Sequence, residues 1–242
     1  MRISKNTIKI REYSIPYSIE FRDVKYARIE ILPTKKIRLI FPKGLENIDH
    51  KKILNEHKEW LKKRIQRINE SLKKIGFSWN KIGEHEIVFG KRYQLRIHRS
   101  YYDSVFFEGS IISVSVRDVD NALNYLRSII HAEFYKKVET FTNFFARKMN
   151  VKVKKISIKK QKKIWGSCST KGNININFRA AILSDELLMF LIAHEVAHLQ
   201  HPNHGPEFKQ LLSSFFEDIK EKNDLLEAFW FISHSSKIFS FE

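Results

Sequence analysis

The sequence predicts an α+β fold, and three observations predict it. Two stretches, 7–42 and 85–116, alternate apolar and charged residues with the period of two expected of half-buried antiparallel strands. Two longer stretches, 48–74 and 119–149, repeat apolar residues at helical spacing. A shorter stretch, 184–198, is apolar on almost every side and reads as a core helix. The chain divides into a β-rich region with one long helix, 1–116, and a second domain with a C-terminal tail, 117–242.

The first strands are Ile8–Arg11, Ser18–Arg22, Ala27–Ile31 and Ile37–Phe41, punctuated by Pro33, Pro42 and Gly44. One amphipathic helix follows, with Ile53, Leu54, His57, Trp60, Leu61, Ile65, Ile68 and Leu72 as its apolar stripe and Gly76 as its C-cap. Trp60 is expected in the core. Lys58, Lys62, Lys63, Arg64 and Arg67 form a solvated face that could also lie along phosphates.

The second β stretch contains Glu86–Gly90, Tyr93–Ile97, Val105–Phe107 and Ile111–Val114, with a hairpin turn at Glu108-Gly109. Asp118 caps the next helix, whose stripe includes Leu123, Leu126, Ile129, Ile130, Phe134, Val138, Phe141 and Phe145. Residues 154–160 read as a strand. Trp165-Gly166-Ser167-Cys168 and Asn173–Phe178 then form a hairpin, with isoleucines inward and asparagines outward. Its free edge is a natural place to hold an extended peptide.

Composition bounds the rest. A hydrophobic content of 43% is that of a globular chain, so disorder is not expected. Lys+Arg 44 against Asp+Glu 27 gives +17, which points to an anionic partner such as nucleic acid or a nucleotide, or simply to a basic surface. A lone cysteine, Cys168, excludes an internal disulfide. No signal peptide or membrane span is apparent, so a cytoplasmic protein with no membrane partner is expected. The sequence does not reveal the oligomeric state.

The chemistry centres on His194-Glu195-Val196-Ala197-His198, an H-E-x-x-H pattern within the core helix. Ser184 is its N-cap, with Asp185 and Glu186 in the favourable first turn. Residues four apart share a helix face, so both imidazoles can reach one zinc ion while Glu195 projects beside them. A third ligand must come from beyond. His201 would sit ~10 Å along the axis from His194 in a straight helix, too far for ligands only ~3.4 Å apart around zinc. Pro202 disturbs the helix and Asn203-His204-Gly205-Pro206 reads as a turn, which favours His204, with Glu207 competing.

Trp165-Gly166-Ser167-Cys168, Lys171-Gly172-Asn173-Ile174, Asn177, the H-E-x-x-H pattern, Asn203-His204 and Phe208 together resemble the YgjP-like (SprT-related) metallopeptidase family. The likeness spans about residues 15–222 and departs at Ile164, where many relatives carry arginine. It implies a minimal zincin-like domain of a ligand-bearing helix, a backing helix and a short antiparallel sheet. It further implies that His194, His198 and His204 bind Zn2+ and that Glu195 is the catalytic acid/base.

The expected activity is hydrolysis of a peptide or protein substrate, with an open position on zinc for water and Glu195 as general base. Asn177 and Arg179 are candidates for stabilising the oxyanion, although salt-bridged or surface roles fit each better. Cys168 is expected to be a plain buried thiol rather than a thiolate on the metal. The aromatic tail after about residue 223 should pack on the core; a second reading has it covering the cleft. Three rivals stand beside the peptidase. One is a metal-dependent nucleotide (NTP) phosphohydrolase, for which no phosphate-binding glycine loop is present. Another is a DNA-associated SprT-like protease with salt-sensitive activity. The last is a non-catalytic module with structural zinc, against which the three-histidine set argues.

Overall fold

The computed structural model describes residues 6–10, 12–32, 36–77 and 83–241. Arg11 and Pro33, read above as a strand end and a break, lie outside the described residues, as do residues 1–5.

Strands β1 (Thr7–Ile10), β2 (Tyr13–Arg22), β3 (Arg28–Leu32) and β4 (Lys36–Pro42) form one sheet in the order β1-β2-β4-β3. The period of two places Ile8, Ile10, Ile15, Tyr17, Ile37 and Leu39 on a buried face. The pairing is not wholly antiparallel: β2 and β4 run parallel, from Tyr17↔Ile37 to Arg22↔Pro42. That leaves β3 on the outer edge, antiparallel to β4. Helices α1 (His50–Glu56) and α2 (Lys58–Lys74) bury Leu54, Leu61 and Ile65 against this sheet.

The single helix expected over 48–74 is therefore two, joined at His57. The ring Nδ1 of His57 lies 2.9 Å from the carbonyl of Ile53, which also receives the amide of His57 at 3.1 Å. A side chain on the hydrogen-bond ladder is a recognised cause of such a break. His57 itself is exposed rather than part of the buried stripe. Helix α2 ends as its glycine predicts. Gly76, at φ +69°, lets its own amide reach the carbonyl of Lys73 and that of Phe77 reach Leu72, and Phe77 is buried.

Strands β5 (Glu86–Val88), β6 (Lys91–Arg99), β7 (Ser104–Glu108) and β8 (Ile111–Val116) form a second sheet, ordered β5-β6-β8-β7, with β6 and β8 parallel. Asp118 caps a 3-10 turn at 119–121 that leads into α3 (Ala122–Lys148). Leu126, Ile130, Phe134, Val138 and Phe145 are its buried stripe, whereas Ile129 is exposed.

Strands β9 (Lys155–Lys159), β10 (Gly166–Cys168) and β11 (Asn173–Asn177) make a third sheet, ordered β10-β11-β9. The short antiparallel sheet expected here is mixed, because β9 runs parallel to β11 while β10 is antiparallel to it. A buried 3-10 turn at 178–182 connects β11 to α4 (Asp185–Ala197), followed by α5 (Pro206–Ser213) and α6 (Ile219–Ser233).

The turn at Phe89-Gly90 docks on this connection. The amides of Phe89 and Gly90 donate to the carbonyls of Ala181 and Ile182 at 2.7 and 3.1 Å. A Cβ on Gly90 would stand 2.9 Å from Ser184, the N-cap of α4, so only glycine permits the approach. Among the described residues no helix is long and apolar enough to cross a membrane.

Candidate metal centre

Helix α4 exists because it is buried on nearly every side, with Leu187, Leu188, Phe190, Leu191, Ile192, Ala193, Val196 and Ala197 all in the core. The Ser184 hydroxyl accepts from the amide of Leu187 at 3.4 Å, and Asp185 and Glu186 occupy the first turn. Four-residue spacing sets the rings of His194 and His198 on one face, 5.1 Å apart between centroids. The helix then stops. His198 is its C-cap, and the next two amides bond three residues back, to Val196 and Ala197. Pro206 opens α5 at a position where its missing amide costs nothing.

This reversal brings His204 back. Its Nε2 lies 3.0 Å from Nε2 of His194, and its ring centroid is 4.7 Å from that of His198. One nitrogen from each of the three rings falls within 4.8 Å of the others, the one such cluster of ligand-bearing side chains among the described residues. His201 and Glu207, the disfavoured and the competing third ligands, are outside it. The backbone of His201 nevertheless contributes, since its carbonyl accepts from Nδ1 of His198 at 3.2 Å. That bond leaves Nε2 of His198 as the free ligand atom, the usual way an outer contact orients a ligating imidazole. Beneath the cluster lies Phe208. Its buried ring is 4.9, 4.7 and 4.8 Å from those of His194, His198 and His204, and nearly parallel to that of His198.

Electrostatics suits a cation. Burial, and then the neighbouring His198 and His204, push the His194 pKa down to about 4; burial also lowers that of His198. These rings offer lone pairs rather than protons at neutral pH. Three imidazole nitrogens so close together, two of them 3.0 Å apart, fit zinc, around which tetrahedral ligand atoms lie ~3.4 Å from one another. Glu195 is 7% exposed, and burial raises its carboxyl to about 7. Cys168 is pushed up to about 11, by burial and then by Glu195, and its Sγ donates to the carbonyl of Ser169. Both effects favour the thiol, and Cys168 stands outside the histidine cluster, although it is half-buried rather than buried as expected.

The two oxyanion candidates are engaged elsewhere. Asn177, expected to face outward, is fully buried; its amide donates to the carbonyls of Gln161 and Ile164, both at 2.8 Å, and its oxygen caps the 3-10 turn. It thereby fixes the loop that delivers Trp165 and Gly166. Arg179 is also buried, donating to the carbonyl of Phe239 with its guanidinium 5.0 Å from the ring of Phe241. The end of the C-terminal tail is therefore core, whereas its earlier part, with Trp230 of α6 and His234 just after it, lines the cleft. Ile238 and Phe239 are fully buried, and Arg127 and Glu86 bind the backbone of residues 237–240.

A cleft of about 1080 Å³ opens from His194 and Glu195 and is bounded on its far side by β3 and Trp60. Trp60 is 47% exposed and belongs to this wall rather than to the core. The two walls are tied together by ion pairs from α2 to α6, Arg64 to Glu227, Arg67 to Asp224 and Lys74 to Glu221. The sequence placed Gly166 and Phe208 only in a family-like pattern and Trp230 among tail aromatics expected on the core, whereas Trp230 is half-buried and lines the cleft. The available signal was a glycine and two aromatics flanking otherwise patterned segments, which does not say what each side chain touches.

Comparison with known proteins adds a family. The family described as "YgjP-like, metallopeptidase domain" matches residues 25–229. No curated protein matches. Among solved structures, the metallopeptidase zymogen jannalysin of Methanocaldococcus jannaschii is 25% identical, covering 37% of this chain and 91% of its own, with a TM-score of 0.34.

Proposed function

We propose that this chain, which belongs to the YgjP-like metallopeptidase domain family, is a zinc peptidase in which His194, His198 and His204 hold the metal and Glu195 is the acid/base. The observation that carries the reading is the convergence of three imidazoles beside a carboxyl that is 7% exposed. A zinc ion bound there would supply Lewis-acid polarisation of the scissile carbonyl and acidify a water molecule.

Every other part of the chemistry belongs to side chains and backbone. Glu195 accepts the proton of the attacking water and delivers it to the leaving amide nitrogen, so one residue serves as base and then acid. Gly166, lacking a side chain, leaves the room in which the carboxyl sits. Nδ1 of His198, anchored on His201, keeps that ring in one tautomer. Among the described residues strand β10 pairs only with β11, so its other edge would take an extended peptide by main-chain hydrogen bonds past Glu195.

The test is a purified, zinc-loaded chain offered unstructured peptides and, separately, nucleoside triphosphates. Peptide cleavage that is lost in Glu195→Gln, with nucleotides untouched, supports the peptidase. Nucleotide hydrolysis with intact peptides would reverse the assignment, and peptide cleavage that needs single-stranded DNA and falls with salt would move it to a DNA-associated protease.

A further inference from the structure

The residues of the metal centre build only one side of the cleft. The N-terminal region supplies further lining through β3 and Trp60, and the exposed Ile164 lines the same cleft. Trp60 and Ile164 are large apolar side chains exposed at 47% and 46%, from segments about a hundred positions apart in sequence, and both face one concave space. Also lining it, the half-buried rings of Trp165 and Trp230 meet edge to face at 4.9 Å. A single exposed apolar residue is ordinary, but several converging on a concavity continuous with Glu195 make a binding surface. The charges around it are unequal. Arg38 lies 3.5 Å from Glu30, and Arg64 pairs with Glu227. Lys162 and Lys163 line the same cleft and have no ion-pair partner among the described residues.

We propose that Trp60, Ile164 and Trp230 form a specificity pocket. It takes a large apolar side chain, best an aromatic one, next to the scissile bond of an extended peptide. Lys162 and Lys163 favour an acidic residue beside that side chain. This rests on the peptidase reading and adds the substrate class to it. The N-terminal sheet and α2 are then a substrate-reading wall, and not merely a second core.

Two measurements test the pocket. In the first, peptides that differ only in Phe or Ala next to the scissile bond are cleaved by wild type and by Trp60→Ala, with zinc content and Tm reporting the fold. The expected wild-type preference for Phe is at least about tenfold in kcat/KM, falling to within about threefold in Trp60→Ala. Lys162→Gln with Lys163→Gln should separately erase a preference for a flanking Asp. In the second, the same peptides are titrated into Glu195→Gln and followed by tryptophan fluorescence, which reads the pocket without turnover. Cleavage at an unchanged Phe-to-Ala ratio in Trp60→Ala overturns the pocket and leaves the peptidase standing. Selective binding of the Phe peptide with no cleavage by wild type keeps the pocket and removes the peptidase. Neither binding nor cleavage overturns both.

Discussion

Gly166 lies against Glu195 so closely that a methyl group on it would stand 2.9 Å from the carboxyl carbon. Glycine is required here by space, since its φ is not in the left-handed region. The strand that borders the cleft is thus also the surface against which the Glu195 carboxyl lies. Gly166→Ala must push the carboxyl or the strand aside. We expect a fall in kcat of at least about tenfold, since small displacements of a reacting group are that costly. KM should change less and zinc content should stay at wild type, as steady-state kinetics with metal analysis would report.

Glu195 carries a pH signature of its own in the metal-free protein. Burial raises its folded pKa to about 7, above an unfolded value near ~4.3. The neutral acid is the form the fold prefers, so this contribution is complete below pH ~4.3 and is lost as pH rises to about 7. His194 acts oppositely, because its depressed pKa costs stability as pH falls from ~6.5 toward about 4. Comparison of chelator-treated wild type with Glu195→Gln cancels the histidine. The stability difference should move by roughly 3 kcal/mol against wild type between pH 4.5 and 7, a span of about two pKa units. Urea unfolding at several pH values checks it; a flat difference contradicts the assignment.

Phe208 supports all three imidazoles at once, at 4.7 to 4.9 Å between centroids. Phe208→Leu keeps an apolar residue there but removes the flat floor. Zinc affinity should fall about 10- to 100-fold, the usual effect of disturbing the shell around ligands. The stability loss should be about 1–2 kcal/mol, as for other near-volume swaps in a core. Chelator competition and thermal unfolding measure the two.

The tail is fastened by buried charge. The Glu86 carboxylate accepts from the Ser236 hydroxyl and from the amide of Lys237 at 2.9 Å. Arg127 donates to the carbonyls of Lys237 and Ile238 at 2.9 and 2.8 Å. Removal of residues 236–242 would strand both side chains and uncover Phe178, which packs on Phe239 and Phe241. The expected result is a loss of stability of at least about 3 kcal/mol, with no gain in activity. Higher turnover without a fall in Tm would instead revive the covering role.

What could be read from the sequence was local. Period-two alternation located the strands, helical spacing located α3, an almost uniformly apolar run located α4, and Gly76 marked the end of α2 because the signals lie within a few residues of one another. The pairings of β2 with β4, β6 with β8 and β9 with β11 were not legible, since parallel neighbours are set by what packs above them and not by their own alternation. Asn177 looked like an outward residue of an alternating strand. Its burial depends on two carbonyls of a loop 13 and 16 positions earlier. Trp60 fitted the apolar stripe of its helix, yet the surface there faces a cleft whose other wall is contributed by residues more than 100 positions away. The reversal that returns His204 to His194 was legible only as a Pro- and Gly-marked turn; its direction is set by the short carbonyl contacts after Ala197.

The most direct test is zinc titration against a competing chelator in wild type, His204→Ala, His201→Ala and Glu207→Gln. The predicted result is one zinc per chain in wild type and at least about a hundredfold weaker binding in His204→Ala. His201→Ala, which keeps its carbonyl, and Glu207→Gln should stay near wild type. A wild-type protein that takes up no zinc, or a His204→Ala variant that binds it equally well, would contradict a centre built on three imidazoles.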